Sequence, residues 1–160
     1  MAIRSLEDLI KLHEGFRGYI YDDATGEKLG PGDRIKGNPT FGWGFALSVN
    51  PATQGECGIL LAIRLSGAAN DAALAVGREA FKTIAPARQA ALADMAYQMG
   101  RQRLEGFNLM LDAIRRGDWD RARDEALASR WARQTPARAR AVADMLLTGN
   151  WPGDTPRPMV

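Results

Sequence analysis

Apolar residues recur at helical spacing over most of the chain, and the first such pattern begins close to the N-terminus. Residues 5–14 predict a short helix, with Ser5 as the capping residue and Gly15 as the stop. Its apolar face is formed by Leu6, Leu9 and Ile10. The first element is therefore predicted to be an amphipathic helix that ends at Glu14.

The pattern changes over residues 16–45, where glycine, aromatic and turn residues dominate. Short strands are predicted at residues 18–21 and 40–45, separated by a loop rich in Gly and Pro. In a single strand over 40–45, Thr40 and two glycines share one face, while three aromatic residues share the other. We expect the aromatic face to pack this part of the protein.

After Pro51 the chain becomes rich in Ala and Leu, and its apolar spacing is helical to about Gly149. The predicted helices are 54–76, 86–99, 107–116, 119–128 and 136–148. Strands followed by helices indicate an α+β protein. The predicted organisation is one domain: an N-terminal helix and β lobe over about 1–50, a connecting helix over about 54–76, a helical lobe over about 80–151 and an extended tail over 152–160.

The chain has 160 residues, of which 46% are hydrophobic and 25% charged, values that suit a folded globular protein. Its formal charge is +2, but residues 101–140 hold ten Arg against six acids. These basic helices could bind anionic lipid or lipopolysaccharide, or could simply be a solvated surface. Nothing in the composition points to nucleic acid, and a monomer is expected.

One cysteine and one histidine leave too few ligands for a zinc site, so no metal or other cofactor is expected. Cys57 lies in an apolar run and is expected to be a buried small hydrophobe. The first 20 residues carry charges throughout, which excludes a signal peptide there, and no run of apolar residues is expected to span a membrane. Synthesis in the cytoplasm follows from this prediction.

Glu14 is the first residue that breaks a pattern, because it continues the apolar face of its helix. Burial there, and the negative end of the helix dipole, would each raise the pKa of its carboxyl group. A raised pKa is what a general acid needs near neutral pH. A half-exposed Glu in a surface ion pair is the alternative. His13 is adjacent but points elsewhere on the helix.

Asp23 follows nine positions after Glu14, and its neighbour Asp22 would point to the opposite face of a strand. Two Asp residues before Ala24-Thr25-Gly26 are equally typical of a turn. Thr40 adds a hydroxyl group beside two glycines, which either leave a bare surface for a substrate or permit a bulge. A calcium loop over residues 22–33 lacks the required spacing.

Three early stretches resemble the catalytic region of phage-type lysozymes of the T-even kind (glycoside hydrolase family 24). They are Glu14-Gly15-Phe16-Arg17, Tyr21-Asp22-Asp23-Ala24-Thr25-Gly26 and Thr40-Phe41-Gly42-Trp43-Gly44. The resemblance continues through Tyr97-Gln98-Met99-Gly100, Glu105-Gly106-Phe107, Ser129-Arg130-Trp131-Ala132-Arg133-Gln134-Thr135-Pro136 and Arg138 to Thr148-Gly149-Asn150-Trp151. These matches are in the same order and cover nearly the whole chain.

The resemblance implies a lysozyme-like fold with an active-site cleft between the β lobe and the helical lobe, and a role for each matching residue. Glu14 would protonate the glycosidic oxygen, Asp23 would support the attacking water and the developing positive charge, and Thr40 would help to hold that water. Gln98 would line the cleft, and Arg138 would reach the catalytic Glu. The implied protein is an endolysin that hydrolyses the β-1,4 bond between N-acetylmuramic acid and N-acetylglucosamine in peptidoglycan. It would accumulate in the host cytoplasm and reach its substrate through a holin-like pore.

Two positions depart from the family pattern. The family usually has its Thr six positions after the Asp, whereas Asp23 and Thr40 are seventeen apart, so residues 27–38 are expected to form a longer loop or hairpin. Phe45 occupies the place of a histidine in the T-even phage enzyme. Two alternatives remain: a lytic transglycosylase, in which the muramic acid hydroxyl attacks instead of water, and a non-catalytic module that binds cell wall or outer membrane.

Overall fold

The computed structural model describes residues 5–154 and divides into two compact units. Unit 1 comprises Met1–Gly58 and unit 2 comprises Ile59–Val160. Within the described residues, a small antiparallel sheet lies in unit 1 and most of the helices lie in unit 2. The predicted α+β class is therefore confirmed.

Unit 1 begins with helix α1 (Leu6–Glu14), followed by strands β1 (Arg17–Asp22), β2 (Pro39–Gly42) and β3 (Phe45–Ala46). The hydroxyl group of Ser5 accepts a hydrogen bond of 3.1 Å from the backbone N of Asp8, which caps the start of α1 as predicted. The three strands form one antiparallel sheet in the order β1-β2-β3. The central strand, β2, is the one that carries Thr40.

The prediction of one strand over 40–45 is wrong. Gly42 and Gly44 both have positive φ values, 65° and 73°, so the chain reverses between them and β2 and β3 form a hairpin. The expected packing is also wrong: Thr40 and Gly42 are buried, while Phe45 is 53% exposed. Left-handed backbone at two positions is readily adopted only by glycine, and it changes which side chains face inward.

The long segment between β1 and β2 folds back on β1, as expected for the predicted longer loop or hairpin. A bridge pairs Tyr21 with Lys28, and backbone hydrogen bonds join Asp22 to Glu27 and Leu29 to Ile20. Tyr21 is also the strand partner of Thr40. The extra residues therefore leave β1 and β2 paired and bring the ends of the loop together.

The predicted helices of the second half are confirmed, and three short helices join them. The helices are α2 (Gln54–Val76), α3 (Arg78–Thr83), α4 (Pro86–Met99), α5 (Arg101–Glu105), α6 (Asn108–Arg116), α7 (Trp119–Ala128), α8 (Arg130–Gln134) and α9 (Pro136–Thr148). Pro86 and Pro136 occupy the first helical positions, and Gly117 and Gly149 end α6 and α9 in the left-handed conformation.

The core of unit 2 is formed mainly by α4, α6, α7 and α9. Helix α9 packs against α4 and α7, and α6 packs against α7. Small side chains such as Ala91, Ala126 and Ala143 are fully buried, which lets the helices approach closely. Larger residues such as Leu92, Met95 and Leu146 fill the space between them. This rigid scaffold positions the functional candidates of unit 2.

Helix α2 corrects two expectations. By length and composition alone it could cross a membrane, with a mean hydropathy of 1.5, although no such run was expected. Its second half packs into the core of unit 2 through Ala68, Ala72 and Val76, so this half belongs to the fold. Cys57, expected to be buried, is exposed because it lies in the first half of the helix, before these buried positions begin.

Candidate active site

The carboxyl group of Glu14 lies against Gly44, in the turn between β2 and β3. A Cβ atom on Gly44 would collide with Oε2 of Glu14 and would come within 2.9 Å of its Cδ atom. Glu14 is the last residue of α1, so the end of the helix is directed at the hairpin turn. The bare backbone of Gly44 therefore provides the space that the Glu14 carboxyl group occupies.

Glu14 is exposed, and no residue of α1 is buried. The expectation that Glu14 is buried with the apolar face of its helix is therefore wrong. Ile10, on that same face, is 43% exposed. The position at the C-terminal end of the helix is as predicted, and it leaves the carboxyl group accessible to an incoming substrate.

The two neighbouring Asp residues have different surroundings, as the alternation along a strand predicts. Asp22 is only 2% exposed, whereas Asp23 is exposed. The carboxylate of Asp22 accepts hydrogen bonds from the backbone N atoms of Ala24 (2.9 Å), Lys36 (2.6 Å) and Gly37 (3.0 Å). These bonds, above all that from Lys36, hold the pKa of Asp22 below its usual value. Asp22 thus closes the neck of the loop.

Asp23 is held by Asn38, which lies at the other end of the same loop. The backbone N of Asn38 donates to Oδ1 of Asp23 over 2.6 Å, and the side-chain Nδ2 of Asn38 donates to Oδ2 over 3.0 Å. The two bonds lower the pKa of Asp23, with the backbone bond as the larger cause. Asp23 is therefore an exposed carboxylate with a fixed orientation.

Thr40 is connected to Asp23 through Asn38. Its hydroxyl group donates a hydrogen bond of 3.1 Å to the backbone carbonyl of Asn38, and the residue is only 2% exposed. Because its hydrogen is used in this bond, the Thr40 oxygen can interact with water only as an acceptor. The seventeen-residue spacing therefore does not separate the two residues, since both are bound to Asn38.

Aromatic and basic side chains surround the hairpin turn. The ring centroids of Phe16 and Trp43 are 4.9 Å apart, and the ammonium group of Lys11 lies 5.0 Å from the Trp43 ring centroid. The guanidinium group of Arg17 stacks on Tyr21 at 4.1 Å and donates to the carbonyl of Gly26. These contacts link α1, β1 and the turn, and so fix the part of unit 1 that carries Glu14.

In unit 2, Gln98 lies at the edge of an open cavity of about 870 Å³. Its Oε1 atom accepts a hydrogen bond of 2.8 Å from the indole Nε1 of Trp131. Trp131 in turn packs edge-on against Phe107, with a centroid distance of 6.3 Å. The side chain of Gln98 therefore has one defined orientation, and its amide NH₂ group can still donate.

Arg138, which the resemblance directs to the catalytic Glu, forms a two-pronged ion pair with Asp94 of α4. Its Nε and Nη2 atoms donate to the two carboxylate oxygens, each over 2.7 Å. These bonds raise the pKa of Arg138 further above its usual value. Within unit 2 the guanidinium group is thus fixed, with the Nη1 amino group still able to bind another acceptor.

Many of the arginines in the basic region have acidic partners. Residues 101, 116, 121 and 123 pair with nearby Asp or Glu side chains on their own helices. Such pairs reduce the positive charge that this surface presents. In the described range 5–154, no group of three or more His, Cys, Asp or Glu residues is arranged to hold a metal ion.

Asn38, Gly44 and Asp94 each contact a predicted site residue of their own unit, yet the sequence did not single out their roles. Asn38 stands before Pro39 and resembles an ordinary loop residue, and its contact with Asp23 joins residues fifteen positions apart. Gly44 was interpreted as bare surface for a substrate, whereas it faces Glu14. Asp94 lies within a regular helix, where an acidic residue on a surface is common. None of the three carries a local signal.

Comparison with known proteins identifies the family. The model of the family described as phage lysozyme matches residues 11–144, a range that includes all five predicted site residues. The chain therefore belongs to the phage lysozyme family, as the resemblance implied. A similar protein is the pre-baseplate central spike protein Gp5 of Enterobacteria phage T4, 46% identical over 63 residues. The match covers 39% of this chain and 11% of that relative.

Proposed function

We propose that this chain is a muramidase that hydrolyses the β-1,4 bond between N-acetylmuramic acid and N-acetylglucosamine in bacterial peptidoglycan. The observation that carries this proposal is the arrangement of unit 1. One carboxyl group, Glu14, lies against the turn of the β2–β3 hairpin, and a second, Asp23, is fixed through Asn38 to the start of β2. Glycoside hydrolysis uses a pair of carboxyl groups that flank the scissile bond, and Glu14 and Asp23 are proposed as that pair.

Glu14 is proposed as the general acid that protonates the leaving glycosidic oxygen. It is exposed, and the turn it faces has no side chain at Gly44. Its place at the C-terminal end of α1 directs the carboxyl group at the hairpin turn. This support comes from its position, independently of the family membership.

Asp23 and Thr40 are proposed to orient the attacking water. Hydrogen bonds from Asn38 favour the ionised form of Asp23, so it can accept a hydrogen from water and stabilise the positive charge that develops on the sugar. The Thr40 oxygen is a second acceptor, since its own hydrogen is bonded to Asn38. Two acceptors can bind the two hydrogens of one water molecule.

Gln98 and Arg138 are proposed to contribute substrate contacts from unit 2. Gln98 lines the cavity and is oriented by Trp131. Arg138 is held by Asp94 and retains a free donor direction. A glycan strand with its peptide offers hydroxyl, amide and carboxylate groups that such side chains can bind.

The experiment that tests the proposal is a set of matched carboxyl-to-amide variants assayed on purified peptidoglycan. Glu14→Gln and Asp23→Asn keep the size of each side chain, and each is expected to lower the release of reducing ends by about 10²–10⁴-fold. Glu7→Gln, on the same helix, is the control and is expected to retain wild-type activity, because Glu7 is an exposed partner of Lys11. Lysis of permeabilised cells by Glu14→Gln at the wild-type rate, without release of reducing ends, would instead support a non-catalytic binding module.

The biological setting is proposed to be host lysis by an endolysin released from the cytoplasm through a holin-like pore. The similarity to a phage spike protein favours a second setting, in which the same activity belongs to the phage particle. Mass spectrometry of purified particles separates the two: peptides of this chain in stoichiometric amounts support the particle, and their confinement to the infected-cell lysate supports the endolysin.

A further inference from the structure

Asn38 makes hydrogen bonds to both groups that are proposed to act on water. We propose that Asn38 is a positioning residue: its side-chain amide orients the carboxylate of Asp23, which its backbone joins to Thr40, for the hydrolysis proposed above. The inference rests on that proposed function. It assigns a task to the long loop between β1 and β2, because this loop delivers Asn38 to its place.

The contacts of Asn38 use its backbone as well as its side chain. Its two N–H donors bind the two carboxylate oxygens of Asp23, at 2.6 and 3.0 Å. Its carbonyl oxygen accepts from the backbone N of Asp23 and from the hydroxyl group of Thr40, both at 3.1 Å. Asn38 is therefore bonded to both residues, and only its bond to Oδ2 of Asp23 uses the side chain.

Ser48 determines which way the amide of Asn38 faces. The Ser48 hydroxyl group donates to Oδ1 of Asn38 over 2.6 Å, so Nδ2 is the atom directed at Asp23. If the amide turned over, its oxygen would face the carboxylate, and two acceptors would repel each other. Ser48 comes shortly after β3, so the hairpin itself contributes to this orientation.

The neck of the loop is closed separately by Asp22, through its bonds to the backbone of Lys36 and Gly37. Asn38 can therefore change without opening the loop. Asp22 is also the charged neighbour whose field raises the pKa of Asp23, and the bonds from Asn38 outweigh it. Loss of the Asn38 amide would leave the repulsion from Asp22 less opposed.

The decisive test is the pH dependence of peptidoglycan cleavage by Asn38→Ala. This variant keeps the backbone bonds of residue 38 and removes only the side chain. We expect kcat/KM to fall about ten- to hundredfold, as loss of a hydrogen bond to a charged group predicts. We also expect the acid limb of the profile to move to higher pH, because removal of a donor raises the pKa of Asp23.

Two further variants complete the design. Ser48→Ala leaves Asn38 in place but releases its amide, so we expect a smaller fall in kcat/KM and a smaller shift of the acid limb to higher pH. These changes can be measured even if Asn38→Ala folds poorly. Thr25→Ala removes a side-chain hydrogen bond elsewhere in the loop, in which the Thr25 hydroxyl oxygen accepts from the backbone N of Glu27, and should leave the profile unchanged.

The outcomes separate the inference from the proposed function. If the wild-type enzyme cleaves glycan and the acid limb is unshifted in both Asn38→Ala and Ser48→Ala, the positioning role is overturned, even if the activity of the two variants is lower. A wild-type protein that cleaves no glycan overturns the proposed function instead. A displaced acid limb in both variants, with unchanged thermal midpoints, supports the inference.

Discussion

Gly44 leaves the space that the carboxyl group of Glu14 fills. A Cβ at this position would strike Oε2 and Cδ of Glu14, so the end of the Glu14 side chain would have to move away from the hairpin turn. We therefore expect Gly44→Ala to displace the proposed catalytic acid and to lower peptidoglycan cleavage by about a hundredfold, the effect of a misplaced catalytic group.

Gly32 provides a matched control for this substitution. It also has a positive φ, 90°, but a Cβ there meets nothing within 4 Å. Both alanine variants should lose roughly 1–2 kcal/mol of stability from left-handed backbone, and only Gly44→Ala should lose activity. Equal losses of activity in the two variants would show that backbone strain, and not the clash with Glu14, is responsible.

The lowered pKa of Asp22 predicts how the stability of the fold depends on pH. Its pKa lies below the ordinary value of 3.8 in the folded chain, because backbone N–H groups bind the carboxylate. Its contribution is therefore fully present above that value and is lost as the pH falls through the lower, folded pKa. In thermal unfolding followed by circular dichroism, Asp22→Asn should have a lower midpoint at neutral pH.

In acid, the thermal midpoint of Asp22→Asn should also decline less steeply than that of wild type, because the variant lacks one of the carboxylates whose protonation destabilises the fold. Asp23 titrates in the same direction, so some decline should remain. Parallel curves for Asp22→Asn and wild type throughout the acid range would contradict the assignment of Asp22 to the neck of the loop.

Arg88 of α4 joins three helices of unit 2. Its Nε and Nη2 atoms donate to the carbonyls of Leu146 and Leu147 at the end of α9, over 2.8 and 2.9 Å, and its guanidinium group stacks on Trp119 at 3.8 Å. We expect Arg88→Ala to lower the free energy of unfolding by about 2–3 kcal/mol, since two charge-assisted bonds are lost.

Chemical denaturation of two companion variants checks this expectation. Arg88→Lys should recover little of the stability, because an ammonium group cannot make both bonds in the same geometry. Lys82→Ala breaks an exposed pair with Glu79 and should change stability by less than about 0.5 kcal/mol. If Arg88→Lys recovered the full free energy of unfolding, the positive charge alone would stabilise the end of α9, without the two-pronged geometry of the guanidinium group.

The helices could be predicted because their ends carry local signals. Pro86 and Pro136 mark helix starts, and Gly117 and Gly149 adopt the left-handed conformation that ends a helix. The short helices α3, α5 and α8 could not be predicted, because five or six residues are too few to establish a period. The hairpin at Gly42 was missed for a related reason: alternation of residue types does not reveal a change in backbone direction.

The candidate site could be predicted only in part. Glu14, Asp23 and Thr40 were identified by their residue types and by the family resemblance. Their partners are set by contacts between distant positions, such as Asp23 with Asn38 and Arg138 with Asp94, the latter forty-four residues apart. Which acceptor a guanidinium group binds depends on the packing of α4 against α9, and neither segment alone specifies it.

The most direct test of the central claim is digestion of purified peptidoglycan in water enriched in heavy oxygen, with mass spectrometry of the products. Hydrolysis assisted by Glu14 and Asp23 predicts one heavy oxygen atom at each new muramic acid reducing end, and almost no product from Glu14→Gln. Unlabelled anhydro-muramic acid ends would identify a lytic transglycosylase, and undiminished product from Glu14→Gln would contradict the role of Glu14.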